Sequence, residues 1–191
     1  MDMSVRLWIF SAFLVLAAAF APGKAEGFER IRPTVGIMQV AGNMGLVSAG
    51  FGWEYGKGNQ WETTMLYGYI PKEEGKKRYA TFTLKQTYIP WSRPVGENFT
   101  FEPLTCGMYI NTILSRDFWM REPSKYPKGY YGFSTKVRFN IFVGESITYK
   151  NSSFFWEFGA TDIYVVSKAT NRYLKFWDIF GLSFGVKLKF R

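Results

Sequence analysis

The chain has 191 residues and no histidine. Histidine is the usual base that activates a serine nucleophile and the commonest metal ligand. Its absence leaves only Ser-Lys or Asp-only chemistry, and nothing in the sequence marks either. Cys106 stands alone, so no intrachain disulfide forms. No acidic loop has calcium-binding spacing, and the turns "GKGN" and "GFG" lie in no phosphate-loop context. Thr161 and Asp162 are adjacent, but an Asp at a strand end more often caps or pairs there. We therefore expect no catalytic residue, no metal site and no cofactor. Beyond the first 25 residues no apolar run approaches 18 residues, so no spanning helix is expected. There is no internal repeat beyond the hairpins and no low-complexity segment.

What is present begins with "MDMSVRLWIFSAFLVLAAAFAPGKA". Arg6 precedes an apolar run from Leu7 to Ala21, followed by Pro22, Gly23 and a small-residue site ending at Ala25. The pattern reads as a secretory signal peptide over 1–25, with one domain over 26–191. The run, about 15 residues, is short of the roughly 20 that an anchor helix needs. No cysteine follows it, so a lipoprotein anchor is not expected. The chain carries 24 basic and 15 acidic residues. Without residues 1–25 these become 22 and 14, a net +8. Basic character can point to nucleic acid, but in an exported chain anionic lipid or glycolipid is the expected partner.

Aromatic residues make up 20% of the chain, and much of it alternates with period two. In the terminal "FGLSFGVKLKFR", Phe180, Leu182, Phe184, Val186, Leu188 and Phe190 alternate with small or cationic residues. Eight strands are expected: Arg32–Ala41, Gly45–Tyr55, Gln60–Ile70, Arg78–Trp91, Phe99–Leu114, Tyr130–Gly144, Ser153–Ser167 and Phe180–Phe190. Gly, Pro and charged clusters punctuate them. "KATNRYLKFWDI" alone suggests a helical turn.

Two architectures suit eight amphipathic strands. A soluble lipocalin-like barrel turns its apolar face inward, whereas a transmembrane barrel turns it outward to lipid. The non-apolar face is rich in Gly and Ser, which suits a narrow interior. The strands, about 10 to 16 residues, match a tilted membrane crossing. Trp53, Tyr55 and Trp61 gather at one set of strand ends, and Tyr67, Tyr69, Tyr130 and Tyr131 at the other, as two interfacial belts would. The expectation is all-β: an eight-stranded antiparallel transmembrane barrel with up-and-down connectivity, the last strand pairing with the first. Such an interior is only wide enough for side chains, so an open pore is not expected. Glu54, Lys85, Glu102, Lys136, Arg138, Glu157, Lys187 and Lys189 are expected to form an interior charge network. Cys106 is expected to face lipid, in phase with Leu104, Met108 and Ile110.

With both termini on one side, the turns near Lys57, Val95 and Lys150 share that side. The longer segments Lys72–Lys77, Ser115–Gly129 and Lys168–Asp178 lie on the other. Those segments and the adjoining Arg78 carry eleven basic residues against five acidic ones. Arg116, Arg121, Lys125, Lys128, Lys168, Arg172 and Lys175 are candidate contacts for glycolipid phosphate.

The signal peptide, the eight alternating strands and the tail "GVKLKFR" resemble the small outer-membrane β-barrel proteins of Gram-negative bacteria. "LYGYIPK", "TYIPW", "YPKGYYG" and "GATDIYVVSKATN" also look like uncharacterised barrels of the Bacteroidota. The resemblance implies an outer-membrane location and membrane lipid and lipopolysaccharide as partners. It also implies a C-terminal assembly signal, Phe184, Val186, Leu188 and Phe190, read by the barrel-assembly machinery. Here Arg191 follows Phe190, whereas the family typically ends on the Phe. Enzymes among such barrels depend on a catalytic His, so a non-enzymatic, monomeric structural, adhesion or envelope-partner protein is expected, with no nucleic acid bound. The alternatives are a secreted lipocalin-like carrier of a hydrophobic ligand and a lipid A-modifying barrel with a histidine-free site.

Overall fold

A computed structural model describes residues 32–72, 77–115, 117–118, 136–162 and 180–190. The segment 1–25, the stretch 168–179 and Tyr130 and Tyr131 lie outside the described residues. All the strands belong to one compact unit, Pro33–Arg191. They are β1 (Val35–Ala41), β2 (Val47–Tyr55), β3 (Trp61–Ile70), β4 (Tyr79–Tyr88), β5 (Arg93–Val95), β6 (Phe99–Ile113), β7 (Val137–Tyr149), β8 (Ser152–Thr161) and β9 (Phe180–Lys189).

Every pairing is antiparallel. The order is β4-β3-β2-β1-β9-β8-β7-β6-β5, and a further pairing of β4 with β6 closes eight strands into a ring. The first strand does pair with the last, Val35 opposite Lys189 through Ala41 opposite Ser183. The fold is therefore a small, closed, eight-stranded antiparallel barrel with up-and-down connectivity. Partners followed once round run Glu102, Ser146, Phe155, Gly185, Gln39, Ser48, Gly68, Thr81 and Ile113. The path returns to β6 eleven residues above its start, at 113 rather than 102. One of the eleven is the extra residue of a bulge between Glu102 and Thr105, so the stagger is ten. Strands in such barrels tilt by about 40°.

Alternation sorts the side chains. Outward positions carry Met38, Leu84, Met108, Ile141, Val143, Phe184 and Leu188, all exposed. Inward positions carry Gln39, Ser48, Glu62, Thr64, Thr83, Lys85, Asn111, Ser146, Glu157 and Lys187, all buried. A polar interior inside an apolar exterior is the reverse of a soluble barrel, where water meets the outer face. Aromatic pairs ring the lower end, where the described N- and C-terminal segments lie: Trp61 on Tyr88 at 4.6 Å and Phe99 on Tyr149 at 4.8 Å. Tyr67 and Tyr69 are exposed toward the upper end.

Two sequence expectations need correction, and a bulge adds a feature the sequence did not mark. Gly144 does not end a strand: β7 continues to Tyr149, and the turn falls at Lys150 and Asn151. Gly144 faces inward, where a Cβ would lie 2.8 Å from Glu157 Cγ and 2.2 Å from the Trp156 carbonyl oxygen. The glycine is clearance, not punctuation. The stretch after β4 stops pairing at Tyr88 and then supplies β5, a three-residue strand added to the foot of β6. The bulge lets both Glu102 and Thr105 point inward. Strict alternation through β6 would have sent one of them out. Cys106, above the bulge, is half-buried and in phase with the exposed Met108 and Ile110.

The link between β1 and β2 folds into the upper mouth. Met44 of the 3₁₀ turn Gly42–Met44 is buried, and its carbonyl accepts from Thr81 Oγ1 at 2.5 Å. Asn43 Nδ2 donates to Thr161 Oγ1 at 2.7 Å and to Asn140 Oδ1 at 3.3 Å. Gly68 leaves the room: a Cβ there would sit 2.1 Å from the Met44 carbonyl oxygen. Entry to the turn strains Ala41, at φ 61° and ψ −162°, a region open essentially to glycine alone. Ala41→Gly should therefore stabilise the barrel by about 1 kcal/mol, strain relief exceeding the entropy of the new glycine. The midpoint of urea unfolding, followed by tryptophan fluorescence, should rise. A fall would mean that Ala41 is not strained.

Candidate functional site

The barrel interior gathers the ionisable side chains that the strands turn inward. Two ion pairs are fully enclosed. Lys85 of β4 donates to both carboxylate oxygens of Glu157 on β8, at 2.5 and 2.6 Å. Lys187 of β9 donates to both oxygens of Glu62 on β3, at 2.9 Å each. In water such pairs contribute little, but a lone charge in the interior is costly, so each partner depends on the other.

Phe155 lies beside both pairs. It is the one large aromatic that β8 turns inward beside Glu157, and it is almost wholly buried. Lys187 Nζ lies 5.1 Å and Lys85 Nζ 5.2 Å from its ring centroid, and Lys85 is also 4.4 Å from the Phe142 ring. Both ammonium groups thus gain an aromatic face besides their carboxylate. Gly185 makes this possible, because a Cβ there would come within 2.2 Å of the Phe155 ring.

The other sequence-derived interior residues lie nearer the mouths. Lys189 pairs with Glu54 at 2.8 Å at the lower end, with the lysine half-exposed. Glu102 is buried and accepts from the Ser146 hydroxyl rather than from a lysine. Arg138 Nη1 stands 4.0 Å from Asp162 Oδ1 near the upper end. Asp162 Oδ2 also accepts from the Phe139 backbone N–H at 3.3 Å. Lys136 precedes β7 and is half-exposed, outside the two enclosed pairs. The interior residues expected from the sequence thus make several direct contacts at different heights along the barrel.

Glu62 is the residue that sequence reasoning missed. Its signal was present in "WETTMLYG", where Glu62, Thr64, Leu66 and Gly68 share the inward phase. Glu62 stands directly opposite Glu54, a like-charge pair that calls for two cations. Lys187 and Lys189, two apart on β9, supply one each.

Among the loop candidates, Arg116, Arg121, Lys125, Lys128, Lys168, Arg172 and Lys175 lie outside the described residues. Nearby, Lys77 Nζ donates to Asp117 at 3.0 Å. This contact holds the Asp117 carboxyl below its usual range and the Lys77 ammonium above its own. Of the tail residues, Phe184, Val186 and Leu188 face outward and exposed. Phe190 donates its N–H to Thr34 O at 2.7 Å, with its ring over Gly36.

Among the described residues no three His, Cys, Asp or Glu side chains gather in metal-binding geometry. Comparison with protein-family models, with curated proteins and with solved structures finds no match.

The enclosed pairs make a sharp test. Lys85→Leu leaves Glu157 buried without its cation and should destabilise the barrel by roughly 3–5 kcal/mol. Lys85→Leu with Glu157→Leu should recover part of that loss. Phe139→Leu, on the outer face, should cost less than about 1.5 kcal/mol. Unfolding midpoints of the three variants report the order. Equal midpoints would show that the interior pairing carries no weight.

Proposed function

We propose that the chain is a non-enzymatic integral barrel of a Gram-negative outer membrane, acting as a structural or envelope-partner protein. The observation that carries this reading is the direction of its faces. The exterior of the barrel strands is an apolar wall broken by one charged side chain, Glu145, while the other charged residues of those strands point in. Lipid solvates such a wall, and water would not. Closure supports the same reading, because a sheet in hydrocarbon has no solvent for unpaired edges. The aromatic pairs at the lower end occupy the position of an interfacial belt.

A lipocalin-like carrier would need an apolar cavity, and here the interior is filled by Lys85, Glu157, Phe155, Lys187 and Glu62. Export by the segment 1–25 and assembly through the C-terminal strand belong to the proposal. Membrane fractionation with a boiled-versus-unboiled gel tests it. The chain should pellet with outer membranes and migrate differently when heated. Recovery in the soluble periplasmic fraction would overturn it.

The upper loops give the proposal a partner. Their sequence concentrates basic residues among Phe118, Trp119, Tyr126, Tyr173, Phe176 and Trp177. Cationic side chains suit lipid A phosphates, and aromatic rings suit sugars or the headgroup level. Neutralising Arg116, Arg121, Lys125 and Lys128 together should reduce co-purified glycolipid while heat-modifiability persists. Unchanged glycolipid would leave these charges merely solvated.

A further inference from the structure

Four glutamates point into the barrel from its strands, and three of them have a lysine. Glu157 has Lys85, Glu62 has Lys187 and Glu54 has Lys189. Glu102 of β6 has no cationic partner among the described residues. It is buried, and the Ser146 hydroxyl directly across on β7 donates to it. Lys187 is near enough to feel the charge of Glu102, but it gives two N–H groups to Glu62. Arg138 has Asp162 near the upper end, so that pair leaves the balance unchanged. Lys136 stands at the same end, ten residues before Ser146, which is roughly 30 Å along the strand. The inward glutamates thus exceed their lysines by one negative charge, and a buried carboxylate without a counter-charge is costly.

A second observation lies beside the first. Thr105 faces inward across the bulge from Glu102 and is 2% exposed, yet its hydroxyl has no hydrogen-bond partner among the described residues. It stands opposite Gly144, which offers no side chain, while Glu102 stands opposite Ser146. Gly144 and Ser146 are two residues apart on β7, so the Cα atoms of Thr105 and Glu102 lie about 7 Å apart. Thr87 of β4 pairs with Gly107, two residues above Thr105 on β6. It is therefore a diagonal neighbour of Thr105, at about 7–8 Å between Cα atoms. Its hydroxyl is also buried and also without a partner.

We propose that Glu102, Ser146, Thr105 and Thr87 bind one monovalent alkali cation of the sodium class in the lower lumen. One positive charge cancels the excess, whereas a divalent ion would overshoot it. Hard cations take oxygen ligands, and a set of one carboxylate and three hydroxyls lacks the nitrogen and sulfur that transition metals favour. Ser146 gives its proton to Glu102 and keeps lone pairs for the ion, as do the two threonines. Glu102 retains a little exposure, so the ion exchanges through the lower mouth. Bound there, it ties β6 to β7 and β4 at the level where the bulge interrupts the ladder. The site belongs to the lumen and does not depend on what surrounds the barrel.

The test uses the full chain folded in zwitterionic detergent micelles. Urea unfolding is followed by tryptophan fluorescence in sodium chloride and, at equal ionic strength, in N-methylglucamine chloride. The wild-type midpoint should be higher in sodium and climb with its concentration, as linkage requires. Glu102→Gln removes the excess charge and keeps the shape, so it should give one midpoint in both salts. Thr105→Val should need about tenfold more sodium for the same rise, the effect of one lost hydroxyl, and Thr105→Ser should restore wild-type behaviour. The sodium NMR line should broaden with wild type and stay sharp with Glu102→Gln, which reports binding apart from stability. Equal wild-type midpoints in the two salts, or a sharp sodium line with wild type, would overturn the proposal. A midpoint that ignores sodium but rises on acidification would overturn it in favour of a proton on Glu102. A sodium response that survives Glu102→Gln would place the ion elsewhere and overturn it too.

Discussion

Hydrogen bonding between β1 and β9 turns a meander of eight strands, β1–β4 and β6–β9, into a ring with an inside. A sheet left open would present unpaired N–H and C=O groups along two edges. Once closed, the stagger of ten residues sets which inward side chains meet across the lumen. Lys187 reaches Glu62 over two intervening strands, and Lys85 reaches Glu157 over β6 and β7. Neither contact joins strands that pair with each other. Both follow from closure and stagger together.

The interior is where closure is most demanding. Eight strands leave room for side chains but little else, so each large group inside needs small neighbours. Gly144 yields to Glu157, Gly185 to Phe155 and Gly68 to the inward turn at Met44. The glycines that loosen the strands locally are therefore what let charges, ring and turn coexist. Strain at Ala41 belongs to the same economy of space, since the chain bends sharply there to place Asn43 against Asn140 and Thr161.

The barrel class was legible because period-two patterning is a local property. The alternation from Phe180 to Phe190 states a face, and seven other segments repeat it. Strand ends were less legible where one residue type serves two ends. Gly144 reads as a breaker until Glu157 is known to lie beside it, and the bulge at Glu102 leaves no mark in the alternating residues. The inward charges were largely legible as a set but not as pairs. Lys85 and Glu157 are 72 residues apart, and no local pattern connects them. Glu62 was obscured by an unexceptional strand, although its position opposite Glu54 carried the need for a second lysine.

A displacement of a strand by one residue would turn its apolar face inward, and patterning forbids it. A displacement by two would keep every face correct, so hydrophobicity is blind to it. Moving β9 by two against its neighbours would bring Lys189 or Gly185 to the level of Lys187. Glu62 would then face a different cation or none. Phe155 adds a lock, since only Gly185 beside it leaves space for the ring. The enclosed charges thus act as a checksum on assembly: they distinguish the correct circumference of the ring from near-copies that differ by one full pleat.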